Sequence, residues 1–183
     1  MNETTSDRKT EEILEARARR LAAAPPSQVK RRLMARVTVV GVGAESFGIP
    51  IEGVRTIVTA PPVAPLPDLP PWLPGVVQIR GQILGTVHLA RWFGIPSDKE
   101  PAYLVVLDGL GVEMGLLING VVGFKEIFDD DIASGLSDER SLQRPIFGTT
   151  RDLVSLIDLK RLASSPDLQR TLASKTLRAT LHS

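Results

Sequence analysis

From Ala35 to Ile157 apolar residues fall in short alternating or continuous runs separated by glycine, proline and acidic turn residues. That is a strand pattern; amphipathic helices need longer stretches with a 3.6-residue period. Val37-Thr38-Val39-Val40 and Ser46-Phe47-Gly48-Ile49-Pro50-Ile51 flank Gly41-Val42-Gly43-Ala44-Glu45, the composition of a hairpin loop. Arg55-Thr56-Ile57-Val58-Thr59 continues the strands, and the proline-rich stretch 61–74 around Trp72 then predicts a stiff extended connection that takes no part in ladder pairing. Gly75 to Ile79 and Gln82 to Leu89 predict two strands turning at Arg80-Gly81. A helical turn over Ala90 to Phe93 ends at Gly94, with Pro96 beyond it. Tyr103 to Leu107 turns at Asp108-Gly109 and returns through Val112 to Ile118. Val122 to Phe128, Arg144 to Thr149 and Asp152 to Ile157 supply the remaining strands, and the polar Asp129 to Glu139 stretch reads as a loop or short helix. Asp158 and Ser165-Pro166 can open C-terminal helices. Ahead of all this, Thr10 to Ala24 reads as a separate helix with Glu11, Glu12 and Glu15 early and Arg17, Arg19 and Arg20 late, an order that suits the helix dipole, ended by Pro25-Pro26.

The strand pattern occurs twice. Phe47-Gly48-Ile49-Pro50-Ile51-Glu52-Gly53-Val54 reappears as Met114-Gly115-Leu116-Leu117-Ile118-Asn119-Gly120-Val121, an offset of 115 − 48 = 67 residues. Ile79-Arg80-Gly81 meets Ile146-Phe147-Gly148 at the same offset, whereas Leu89 and Leu159 differ by 70, which implies a three-residue insertion in the second copy. Two copies are too few for a solenoid, so a pseudo-twofold pair of small barrels is expected, with the repeat over 45–94 and 112–163. Gly48 and Gly115, Ile51 and Ile118, and Gly81 and Gly148 should be equivalent, and Ile79, Leu84, Val87, Val105, Leu116 and Ile157 should lie in the cores.

Composition narrows the chemistry. Lys+Arg 22 against Asp+Glu 21 leaves a net charge of +1, no electrostatic case for nucleic acid or a membrane surface. Aromatic residues make up 4%, too few for base-stacking strands. The absence of cysteine excludes disulfides, thiolate metal sites and thiol nucleophiles. No apolar run approaches the roughly 20 residues of a membrane span, and the N-terminus lacks the order of a secretion signal, so a cytoplasmic protein without direct membrane insertion is expected. Catalytic material is sparse: His88, His182 in the tail, and Asp129-Asp130-Asp131, which lacks the ligand alternation and turn glycine of a calcium loop. An enzyme using His88 and the Asp129 to Asp131 acids is the weaker alternative to a binding protein with no metal and no cofactor.

Arg80 is the side chain that suggests binding. It sits at a strand turn in an apolar stretch, followed by a glycine that allows a sharp bend, and a guanidinium there can present its planar fork to a carboxylate or carbonyl of a partner. An internal salt bridge or a solvated turn residue is the equal alternative. Gly75-Val-Val-Gln-Ile-Arg80-Gly81-Gln-Ile-Leu-Gly-Thr-Val-His-Leu89, preceded by Phe47-Gly-Ile-Pro-Ile-Glu-Gly-Val54 and the proline-rich bridge, resembles the CheW-like domain of bacterial chemotaxis coupling proteins over about Arg36 to Ala163.

The resemblance implies an all-β fold of two five-stranded SH3-like barrels; here a short N-terminal helix, which the family's minimal domain lacks, and a C-terminal helix flank them. It divides the chain into an extension over 1–33, a CheW-like domain over 34–165 and a tail over 166–183. It also implies an adaptor without chemistry of its own, joining a CheA-type histidine kinase to the cytoplasmic tips of methyl-accepting chemoreceptors at membrane-associated arrays; a CheW-like scaffold for surface motility or second-messenger control is the alternative. By position Arg80 and Gly81 match the receptor-facing Arg-Gly turn, Val54 matches an apolar receptor-contact position in the groove between the barrels, and Thr56 is a further receptor-facing position. The resemblance assigns no kinase-binding residue. Gln78 stands for the family's usual Asn, Gly85 for Pro, His88 for Asp, and Thr56 for a common Glu.

Overall fold

The computed structural model describes residues 31–111, 113–133 and 144–169; the expected Thr10 to Ala24 helix and most of the C-terminal tail lie outside them. The strands are β1 (Leu33–Val42), β2 (Glu45–Pro50), β3 (Val54–Thr59), β4 (Ala64–Pro65), β5 (Gly75–Ile79), β6 (Gln82–His88), β7 (Tyr103–Leu107), β8 (Met114–Ile118), β9 (Gly120–Phe128), β10 (Ile146–Thr149) and β11 (Val154–Ile157). Two short helices, α1 (Leu89–Phe93) and α2 (Leu159–Ala163), each follow the last strand of a repeat. The first strand, β1, opens at Leu33.

The strands form two sheets, one ordered β10-β11-β2-β1-β9 and the other β3-β7-β8-β6-β5-β4. Each is built around an antiparallel hairpin, β1-β2 or β7-β8, whose neighbours come from the other repeat. The first sheet thus draws β1 and β2 from the front of the chain and β9, β10 and β11 from the back. The 67-residue offset is visible in the register: Val39 faces Gly48 and Val106 faces Gly115. Those glycines are packing requirements, since a Cβ on Gly48 would come within 2.8 Å of Leu156 and one on Gly115 within 2.7 Å of Leu104.

The second expected glycine match fails. Gly81 lies in the β5-β6 turn, whereas Gly148 lies within β10 opposite Leu156. Since Thr86 and Leu156 hold the same place beside Gly115 and Gly48, the partner of Thr86, Gly75, is the counterpart of Gly148. The second copy therefore gains residues before β10 and loses three inside the hairpin. A second correction concerns the proline bridge, which does contribute a ladder: β4 pairs Ala64 with Val76 and Pro65 with Gly75 at the sheet edge, where a missing N–H is tolerated.

Three apolar clusters hold these layers. Val37, Val39, Ile127, Val154 and Leu156 fill one sheet's interior, and Val77, Leu84, Leu104, Val106 and Leu117 fill the other's. The third and largest joins Phe47 and Ile49 of the first sheet to Val87, Val105 and Leu116 of the second, and includes Phe93 and Leu162 from the helices. Of the expected core residues, Leu84, Val87, Val105, Leu116 and Ile157 are buried, but Ile79 is only half-buried, because it is the last residue before the β5-β6 turn.

Candidate functional site

The β5-β6 hairpin turns in two residues, with Ile79 paired to Gln82 and with Arg80 and Gly81 both at positive φ, 49° and 86°. Two positive φ values in a two-residue loop follow the right-handed twist of the flanking strands. Glycine takes such a conformation freely, whereas arginine does not, and an arginine held there costs about 1 kcal/mol. Among the described residues the Arg80 side chain makes no hydrogen bond or ion pair, so it stands in solvent at the tip of a rigid hairpin. The internal salt bridge considered for it is absent there.

Val54 and Thr56 come to the same end of the sheet through β3. Val54 pairs with Leu107 and Thr56 with Val106, which leaves Arg55 as the extra residue of a bulge. A bulge re-aims its unpaired side chain. Arg55 here reaches out of the ladder to donate from Nη1 to Gln82 Oε1 at 2.7 Å and from Nη2 to Asp108 Oδ1 at 3.0 Å. Asp108 also accepts from the Gly109 N–H, which pins the β7-β8 loop. The hydrogen bond and then the charge of Asp108 raise the Arg55 pKa, and Arg55 and the Gly109 N–H hold the Asp108 carboxyl below its ordinary value. Val54, Thr56, Arg80 and Gly81 are thus joined through a residue that sequence reasoning did not single out. Arg55 could have been suspected only from a bulge, which no spacing signals.

The other sheet repeats this geometry with different chemistry. Its bulge falls at Val122, between Val40 paired with Val121 and Val39 paired with Gly123, and 122 − 55 is again 67. Its hairpin tip is the 150–153 turn, braced by Thr150 Oγ1 to Asp152 Oδ1 at 2.6 Å and tied to β9 by Lys125 Nζ to Asp152 Oδ2 at 2.6 Å. Lys125 and Thr150 hold the Asp152 carboxyl below its ordinary value. Where the first tip offers Arg80 and Arg55, this one offers Leu153 (69% exposed), Val122 (72%) and Phe124 (76%). It is an apolar surface that the sequence reading did not assign.

The residues of the enzyme alternative have other occupations. His88 is buried and caps α1, its Nδ1 accepting from Arg91 N at 3.5 Å, as Asp158 caps α2 by accepting from Arg161 N at 3.0 Å. Burial, reinforced by the Arg91 charge, lowers the His88 pKa from 6.5. Asp129 Oδ1 accepts from Arg32 N and Asp131 Oδ2 from Phe128 N, so these acids close a turn after β9. Among the described residues no cluster of His, Cys, Asp or Glu is placed to hold a metal ion. Nor is any described helix long and apolar enough to cross a membrane.

Comparison with known proteins agrees with this geometry. The family model of the CheW-like domain matches residues 36–167. The chain is 27% identical over 134 residues to the probable chemotaxis protein CheW of Rhizobium etli, covering 69% of this chain and 85% of that protein. It is 30% identical over 139 residues to Protein PilI of Pseudomonas aeruginosa, covering 74% and 78%. The crystal structure of scaffolding protein TtCheW from Thermoanaerobacter tengcongensis superposes with a TM-score of 0.61 at 21% identity, over 73% of this chain and 94% of that one. With its two SH3-like sheets, their shared register and a match over most of its length, this chain belongs to the CheW-like domain family of chemotaxis adaptors.

Proposed function

We propose that the chain joins a CheA-type histidine kinase to the cytoplasmic tips of chemoreceptors, and that Val54, Thr56, Arg80 and Gly81 form its receptor-facing surface. The observation that carries the reading is Arg80, a cation on a conformation unfavourable for its residue type and free of internal partners among the described residues. Backbone strain at an exposed polar tip points to use by a partner rather than to folding. Arg55, Gln82 and Asp108 support the reading by fixing the tip against β3.

An adaptor needs a second surface, and the apolar Val122, Phe124 and Leu153 tip is the candidate for the kinase. Its chemistry differs from that of the Arg80 tip, which lets one chain bind two unlike partners without competition. Arg80→Ala should weaken receptor binding about thirtyfold, the effect of losing an interface anchor, with no loss of melting temperature. Phe124→Glu should abolish kinase binding and leave receptor binding intact. Titrations of each variant against receptor fragments and kinase test both assignments; loss of both partners in either variant would dissolve the division of labour.

A further inference from the structure

The proline bridge stiffens one wall of a cavity of about 430 Å³, and none of the residues assigned above to receptor or kinase lines it. Pro61, Pro62 and Pro74 of the bridge share the lining with Pro101 and Leu117. The bridge is pinned on either side, Ala60 N donating to Ala102 O at 2.9 Å and His88 N to Trp72 O at 2.8 Å. Proline has a fixed φ and no N–H, so these residues give the wall rigidity and an apolar surface but no backbone donor.

Three side chains bring chemistry to this lining: His88, Arg91 and Glu100. His88 is 7% exposed, and its Nδ1 accepts from Arg91 N. An accepting ring nitrogen carries no proton, so the neutral imidazole holds its proton on Nε2. Burial, reinforced by the Arg91 charge, keeps the ring in that neutral form at pH 7. Nε2 has no hydrogen-bond partner among the described residues, and it is not sealed from solvent. Arg91 Nη1 reaches only Pro71 O, at 3.4 Å, and neither Arg91 nor Glu100 has an ion pair among the described residues. The loop that carries Glu100 is fixed by Asn119, whose Nδ2 donates to Lys99 O at 2.9 Å and to Glu100 O at 3.4 Å.

We propose that this cavity binds a free α-amino acid with an apolar side chain: the carboxylate accepts from His88 Nε2 and Arg91, the ammonium meets Glu100, and the side chain lies against the prolines and Leu117. The lining decides between ligand classes. Arg91 and Glu100 carry opposite charges, so a simple anion or cation meets one like charge, whereas a zwitterion satisfies both. The His88 donor asks for an oxygen acceptor, since a buried N–H left unmatched by a ligand that displaces water is costly. The apolar wall asks for hydrocarbon, and a sugar or nucleotide has more polar groups than this lining can pair. A volume of about 430 Å³ lies within the range of small-ligand clefts.

Proton NMR reads the site directly, because the chain has two histidines, His88 and His182, and the His88→Asn variant assigns the His88 ring signal. Titrating the whole chain with L-valine, L-leucine, L-methionine and L-phenylalanine should shift that signal saturably, for at least one of them, below about 10 mM, the weak end of specific binding. For that amino acid, the amide and the analogue lacking the amino group should each bind at least about tenfold more weakly, having lost one charge-assisted contact. Glu100→Gln, at an exposed position, should weaken the amino acid by a similar factor and strengthen the analogue without an amino group. Arg91→Gln, also exposed, should weaken both, with circular dichroism to verify that each variant is folded. No saturation by any of the four, equal binding of the three chemical forms, saturation that leaves the His88 signal unmoved, or unchanged binding by the folded variants would overturn the proposal.

Discussion

Arg80 is held at φ 49° in a turn that asparagine enters more readily, so exchanging the two separates the fold's interest from the partner's. Arg80→Asn should stabilise the chain by about 0.5 to 1 kcal/mol in urea unfolding while losing receptor binding. A lower unfolding free energy would mean that the arginine serves the fold. His88 offers a second test. Its pKa is lowered, so the unfolded chain takes up a proton first; this contribution is fully present above about 6.5, the unfolded value, and is lost as pH falls below it. Protonation also removes the Nδ1 acceptor that caps α1. His88→Asn keeps a capping oxygen and cannot titrate, so the stability of the wild type should fall relative to that variant as pH drops below about 6.5, as followed by melting curves. Asp108 and Asp152, with lowered pKa values, act in a separate window: their contributions hold above 3.8 and vanish only as pH falls through the folded values. The Arg-Gly turn was legible because glycine and arginine interrupt an apolar run. The role of Arg55 was not, since its partners lie 27 and 53 residues away in sequence.

At the level of strands and turns, Gly75 and Gly148 are counterparts with unequal freedom. A Cβ on Gly75 would lie 2.0 Å from the Ala64 carbonyl oxygen, at φ 154°, because β4 closes against it; a Cβ on Gly148 would meet only Ile132 at 3.6 Å. Gly75→Ala should therefore cost about 2 kcal/mol or more, and Gly148→Ala less than about 0.5 kcal/mol, in denaturant unfolding. Similar costs would contradict the register. Apart from β4, the strands, the helical turn ending at Gly94 and the Asp158 cap were readable to within a few residues, because local pattern and capping chemistry determine them. The Gly81 and Gly148 match was misread for a physical reason. Two similar words sit on different sides of a hairpin whose length changed between copies, and register is a property of pairing rather than of spacing. Pro65 escaped notice as a strand residue because edge pairing asks nothing of its nitrogen.

For the whole molecule, duplication could be read from the chain but the exchange of strands between copies could not, since nothing local distinguishes a hairpin that pairs with its own repeat from one that pairs with the other. A break in the 94–102 connection leaves β1 to β6 on one piece and β7 to β11 on the other, and each piece then lacks the central or flanking strands of both sheets. Neither fragment should fold alone, by circular dichroism, and mixing them should restore the near-ultraviolet signal. The intact chain should melt in one transition with coincident probes, because the largest apolar cluster spans both sheets. One independently folded fragment would refute the shared core. The exchange also has a consequence in time. On the ribosome β1 and β2 emerge first, yet the strands that flank them, β9 and β11, are made last, so the earliest hairpin waits unsheltered for most of synthesis. Translation pace and chaperone access, more than the stability of the finished protein, would then govern how much of this adaptor a cell obtains.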